Sequence, residues 1–195
     1  MIIEAGHYAL ILALFVALTQ SILPLAGASR GDIGWMAVGR SAALTQFALI
    51  ALAMLALMYA YITSDFTVVN VVQNSHTDKP LLYQITGVWG NHEGSMVLWV
   101  FMLSLCGALV ALFCDNLPAE LRARVLSVQG MIGVGFLLFI LLTSDPFLRV
   151  FPPPPNGDGL NPVLQDPGLA FHPPFLYLGY VGFSVGFALD RKSVV

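Results

Sequence analysis

An all-α integral membrane protein of about five transmembrane helices is predicted by three observations. Of 195 residues, 57% are hydrophobic and 10% are charged, whereas a water-soluble domain has about a quarter charged. Mean hydropathy is +0.81. The apolar residues gather in five stretches free of Asp, Glu, Lys and Arg, and roughly 20 such residues cross about 30 Å of hydrocarbon at about 1.5 Å per residue. The same figures exclude a soluble fold and a disordered chain. A net charge of -3 and a pI near 5.7 exclude a nucleic-acid binder, which needs clustered Lys and Arg.

The first stretch, Ala5 to Leu25, is followed by the small residues Ala26, Gly27 and Ala28, in the manner of a signal-peptide cleavage site. The only charged side chain before it is Glu4, and a signal peptide needs a positive amino-terminal region, so this stretch reads as a retained span. The second runs from Ser41 to Ile62, the third from Ser95 to Phe113 and the fourth from Val125 to Leu142. The fifth, Phe175 to Leu189, is short unless His172, Pro173 and Pro174 begin inside the interface. All five spans are expected in one membrane domain over residues 1–195.

Orientation follows from Lys and Arg near the span ends. Arg30, Arg40, Arg122, Arg124, Arg191 and Lys192 fall on one side, Lys79 and Arg149 on the other. The expected topology is N-out and C-in, with two long outer loops at about 63–94 and 143–174. His7, His76, His92 and His172 all fall on or beside that outer face. His76 has polar neighbours and reads as a solvated loop residue, and His7 as an interfacial side chain.

The first long loop opens with Asp65-Phe-Thr-Val-Val-Asn-Val-Val, a β-branched run expected to lie extended. Thr63-Ser64-Asp65 and Thr143-Ser144-Asp145 leave spans two and four alike. An acid there opposes the helix dipole, so both aspartates are expected to organise the turn that follows. The second loop carries nine of the twelve prolines. It reads either as a plain linker or as a stiff collar holding His172 at fixed height. Cys106 and Cys114 are about 80° apart around the third helix and about 12 Å apart along it, too far for a disulfide, so both read as packing residues.

Two stretches could carry chemistry. Trp89-Gly90-Asn91-His92-Glu93-Gly94-Ser95 puts an indole and an imidazole in a glycine-punctuated turn, either as interfacial anchors or as a surface for a flat ligand. Phe171-His172-Pro173-Pro174-Phe175-Leu176-Tyr177-Leu178-Gly179-Tyr180 places a histidine above an aromatic, glycine-notched surface, with Tyr177 and Tyr180 three apart on one helix face. There His172 reads equally as an axial ligand for haem iron or as part of an anchored helix start, and Pro174 suits the first helical turn. Gly182 and Gly186 form a G-x-x-x-G that admits a neighbouring helix. No intramembrane charge marks an ion path, which counts against a transporter subunit.

Residues 81–95 and 161–180, with the order of the five spans, resemble the large cytochrome c haem lyase subunit of cytochrome c maturation, the CcmF family. The likeness covers nearly the whole chain. It implies that His172, matching the histidine of the family's His-Pro-Pro motif, is an axial ligand to haem b held on the outer face. His92, Trp89, Tyr177 and Tyr180 are the accompanying haem-surface candidates; catalytic residues are unassigned. The family's tryptophan-rich haem segment, its second external histidine and its pair of intramembrane histidines have no match here. The resemblance thus implies the amino-terminal part of a longer or split protein, with the second ligand outside this chain.

It further implies haem received from a haem chaperone and joined through its vinyl groups to the thiols of an apocytochrome c brought by delivery subunits. The remainder of the haem lyase and membrane lipid are the other expected partners. The expected place is the bacterial inner membrane with chemistry on the periplasmic face, or the mitochondrial inner membrane if organellar. A structural assembly subunit without its own complete site is the alternative.

Overall fold

The computed structural model describes residues 1–190, and every expected span is helical within it. The helices are α1 (Ile2–Arg30), α2 (Ile33–Ile62), α3 (Val69–Asn74), α4 (Leu81–Gly87), α5 (His92–Phe113), α6 (Ala119–Thr143) and α7 (Pro167–Asp190), with a 3-10 turn at Pro162–Leu164. Four of these, α1, α2, α5 and α6, are long and apolar enough to cross a membrane. Arg191 and Lys192, counted on the positive side, lie outside the described residues.

The first two spans extend past their apolar limits. At about 1.5 Å per residue the 29 residues of α1 reach well beyond about 30 Å of hydrocarbon. The link between α1 and α2 is therefore only Gly31 and Asp32. Gly31 adopts φ 69°, ψ 20°, a left-handed helix end open to glycine at no steric cost. Asp32 then caps α2, its Oδ1 accepting from the backbone N–H of Gly34 (2.8 Å) and Trp35 (3.1 Å).

Helices α1, α2, α5 and α6 form a bundle in which α1 lies between α2 and α6, and α5 closes the other side. Helix α7 rests on the outside of α5 and α6. Small residues let these helices approach closely, in keeping with association driven by packing in a lipid solvent. Ala9, Ala13 and Ala17 of α1 and Ala53, Ala56 and Ala60 of α2 are all buried. Cys106 is buried and Cys114 partly so, and both thiols are free, as packing residues would be.

The two long loops depart from the expected linkers. The β-branched run expected to lie extended does so at Val68, which forms an antiparallel bridge with Arg149, but from Val69 onward it is helical, as α3 (Val69–Asn74). Val69 N donates to the Leu148 carbonyl (2.9 Å) and Val150 N to that of Thr67 (2.9 Å). The chain then coils into α3 and α4. The two repeated aspartates do set turns: Asp65 Oδ1 accepts from Thr67 N (3.1 Å) and Asp145 Oδ1 from Phe147 N (2.9 Å). The proline-rich loop is stapled to the first one, since the Asn156 amide holds Thr77 and Asp158 N reaches the Val72 carbonyl (2.7 Å).

The start of α7 is the main correction. The helix begins at Pro167, eight residues before the apolar stretch, so His172, Pro173 and Pro174 lie inside it. Asp166 accepts from Gly168 N (2.8 Å) and Pro167 takes the first helical position, where a missing N–H costs nothing. Asp-Pro, a dipeptide that favours turns, serves here as a helix cap.

Candidate functional site

All four histidines sit at one end of the bundle. His7 Nδ1 lies 3.2 Å from Asp145 Oδ2. His76 Nδ1 accepts from Asp78 N (3.2 Å) and stays a loop residue. His92 opens α5, with Nε2 3.1 Å from Ser144 Oγ and its ring edge-on to Phe139. His172 is exposed on α7 and makes no hydrogen bond, ion pair or ring contact among the described residues.

The Trp89–Ser95 turn is held by a buried polar network that periodicity does not reveal. Asn91 caps α5 by accepting from Gly94 N (2.8 Å), and its amide donates to Tyr61 Oη (2.9 Å) and to the carbonyls of Gly87 (2.9 Å) and Val88 (3.1 Å). Tyr61, fully buried, donates to Asn70 Oδ1 (2.6 Å). Asn70 completes the ring by donating to Asn91 Oδ1 (2.9 Å) and Glu93 Oε2 (3.2 Å). The cap of α5 is Asn91, a residue type that favours helix starts but that sequence reasoning left without a role, and Tyr61 and Asn70 carried no local signal. Nearby Lys79 is buried, with Nζ donating to the Asn74 carbonyl (3.0 Å), and burial lowers its ammonium to about 8.

This turn and α7 are joined by one hydrogen bond with a specific cause. Pro174 has no N–H, so the carbonyl four residues back, that of Ala170, lacks its helical donor. The Trp89 indole N–H donates to that carbonyl instead, at 2.9 Å. Trp89→Phe, which keeps the ring and removes the donor, is expected to cost about 1–3 kcal/mol for an orphaned carbonyl. Adding Pro174→Ala restores a backbone N–H, so thermal melts of the double variant are expected to recover part of the loss; purely additive effects would exclude the link.

Trp89, His92 and Tyr177 line one cleft of about 310 Å³ together with Leu160, Leu164 and Pro173. His172 and Tyr180 do not line it. At about 100° per residue, Pro173, Tyr177 and Val181 turn toward the bundle, while His172, Phe175, Leu176, Gly179 and Phe183 turn away. Val181 is fully buried, whereas Phe175 is 73% and Phe183 78% exposed. Tyr177 and Tyr180, expected on one face, straddle the boundary: Tyr177 packs on the core and Tyr180 is 62% exposed. His172 thus heads an outward aromatic face, notched at Gly179, where a Cβ would meet nothing within 4 Å.

Fold and site define a multi-pass helical membrane protein with histidines and aromatic residues collected at one end of its bundle. The chain belongs to the cytochrome c assembly protein family, whose model matches residues 89–190, from the Trp89 turn to the end of α7. It is 64% identical over its full length to the cytochrome c-type biogenesis protein ccl1 of Rhodobacter capsulatus. It is 51% identical over 98% of its length to the cytochrome c-type biogenesis protein CcmF of Escherichia coli. It covers 30% of each of these relatives. A solved structure described as cytochrome c haem lyase CcmF superposes with a TM-score of 0.84 at 27% identity, over 96% of this chain and 29% of that one. The resemblance drawn from residues 81–95 and 161–180 therefore holds at the level of the family.

Proposed function

We propose that this chain contributes the His172 side of a haem-presenting site in a cytochrome c haem lyase of the inner membrane. The observation that carries this reading is the free His172 imidazole above the outward face of α7. His92 is engaged with Ser144 and Trp89 with Ala170, but both nitrogens of His172 are unclaimed by the described residues. A flat, largely apolar substrate fits the surface of Phe175, Leu176, Gly179 and Phe183. Haem b, as substrate, supplies the vinyl groups to which the cysteine thiols of an apocytochrome c add.

The chain's own part is positioning. The Trp89–Ala170 bond and the buried Tyr61–Asn70–Asn91 network hold α7 so that His172 stands at fixed height as an axial ligand. His92, Trp89 and Tyr177 line the inner side of that support, and Tyr180 flanks the haem face. The opposite ligand, the haem chaperone and the apocytochrome delivery subunits meet this surface from outside the chain. Phe175→Ala in the intact protein is expected to lower bound haem severalfold in the visible spectrum with an unchanged melting temperature. Phe113→Ala, equally exposed at 73% but at the other end of the bundle, is expected to leave haem unchanged. Equal effects of the two would refute the haem face.

The membrane orientation in this reading is N-out and C-in, with α7 as a fifth span and the histidine end periplasmic. In a variant lacking Cys106 and Cys114, cysteines at Thr77 and Phe151 are expected to react with an impermeant maleimide from outside. One at Glu120 is expected to react only after permeabilisation, and the reverse pattern would invert the topology. Phe151, 93% exposed, suits labelling. Gly157 does not, because a Cβ there would lie 2.2 Å from the Ser75 carbonyl oxygen.

A further inference from the structure

Among the described residues four arginines gather at the bundle end opposite the histidines, and three are engaged. Arg40 and Arg122 pair with Asp115, Arg40 at 3.7 Å. Arg30 lies over the Trp35 ring, 5.2 Å from its centroid. Arg124 is exposed and has no ion pair, hydrogen bond or ring contact among the described residues.

Arg124 stands at the mouth of a groove of about 530 Å³ between α1 and α6. Ser29 sits beside it at the mouth, and Ile22, Leu25 and Met131 line the apolar length, exposed by 60%, 37% and 46%. Seven residues separate Arg124 from Met131 and Ser29 from Ile22, so the groove runs about 10 Å along both helices. Behind it the helices touch: a Cβ on Gly130 would lie 3.0 Å from Ser21 N and Oγ. A Cβ there would press on the backbone of Ser21 and Ala17, so the groove is backed by main chain.

We propose that this groove binds an anionic glycerophospholipid, with Arg124 bonded to the headgroup phosphate and one acyl chain laid along Leu25, Ile22 and Met131. Charge complementarity selects this occupant. An unpaired guanidinium at the hydrocarbon edge gains most from a phosphate that brings net negative charge, and its fork of N–H groups matches two phosphate oxygens. Ser29 Oγ donates its one O–H to the Ala26 carbonyl (2.9 Å), which leaves the phosphate to Arg124. Glu120, one turn before Arg124 on α6, opposes an anion.

The test uses the intact protein equilibrated with vesicles of phosphatidylethanolamine and phosphatidylglycerol, with retained lipid measured by native mass spectrometry. Phosphatidylglycerol is expected to be enriched over phosphatidylethanolamine. Arg124→Gln is expected to lower its retention about fivefold, the scale of one cation at an anionic surface. Arg30→Gln removes the same charge at the same end and is expected to leave retention unchanged. Leu25→Trp, which fills the groove while Arg124 remains, is expected to abolish it, and Glu120→Gln to raise it; melting temperatures confirm that each variant is folded. Equal losses in Arg124→Gln and Arg30→Gln, full retention in Leu25→Trp, or no enrichment would overturn the proposal. The last is the result expected if another helix of a longer protein occupies the groove.

Discussion

His172→Ala in the intact protein is expected to remove most of the low-spin haem spectrum and nearly all cytochrome c maturation, with His76→Ala leaving both near wild type. The contrast rests on geometry. His172 is exposed at the head of the outward face of α7 with no partner among the described residues, whereas His76 is tied into its own loop by Asp78. The alanine variant loses no buried contact, so its melting temperature is expected to hold. Free imidazole is therefore expected to restore part of the spectrum by entering from the open side. An unchanged spectrum, or a loss that imidazole cannot restore in a folded variant, would reject His172 as the ligand.

Gly94→Ala is expected to be the most damaging small substitution in the described chain. A Cβ at this position would lie 1.6 Å from the Val88 carbonyl oxygen and 2.8 Å from its carbon. Backbone atoms cannot turn aside as a side-chain tip can, so the first turn of α5 must unwind or the Trp89 turn must shift. Either movement breaks the Asn91 cap and exposes the Tyr61–Asn70 network, a loss of at least about 3 kcal/mol from a short list of severe mechanisms. Gly107→Ala, on the same helix with nothing within 4 Å of the new Cβ, is expected to be neutral or stabilising by under about 1 kcal/mol. Detergent-solubilised thermal melts of the pair check this, and similar melting temperatures would contradict it.

The bundle was legible because uninterrupted apolar stretches need no knowledge of their neighbours, and the limits at Ile62, Phe113 and Thr143 follow from composition within a residue or so. The start of α7 was not. Proline inside a helix normally costs about 3 kcal/mol, which argues for placing His172 before the helix. What offsets the donor lost at Pro174 is an indole 81 residues away in sequence that bonds the Ala170 carbonyl. The polar network hid for the same reason: Tyr61, Asn70 and Asn91 are separated by 9, 21 and 30 residues and share no period. At the site, the histidines and aromatics were identifiable by type. Their division between an inward cleft and an outward face depended on where α7 begins, and so on the same unseen bond.

The stapling of the two long loops sets a clock on biosynthesis. Thr77 and Asn156 are 79 residues apart, and at about 5–20 residues per second the ribosome needs about 4–16 s to make the second after the first. Throughout that interval α3 has no Leu148 or Asp158 to hold, and the Trp89 indole has no Ala170 carbonyl. The nascent histidine end therefore waits open while α5 and α6 are inserted. Its closure comes as a late, non-local event, and proteases or premature ligands have their best access to it before then.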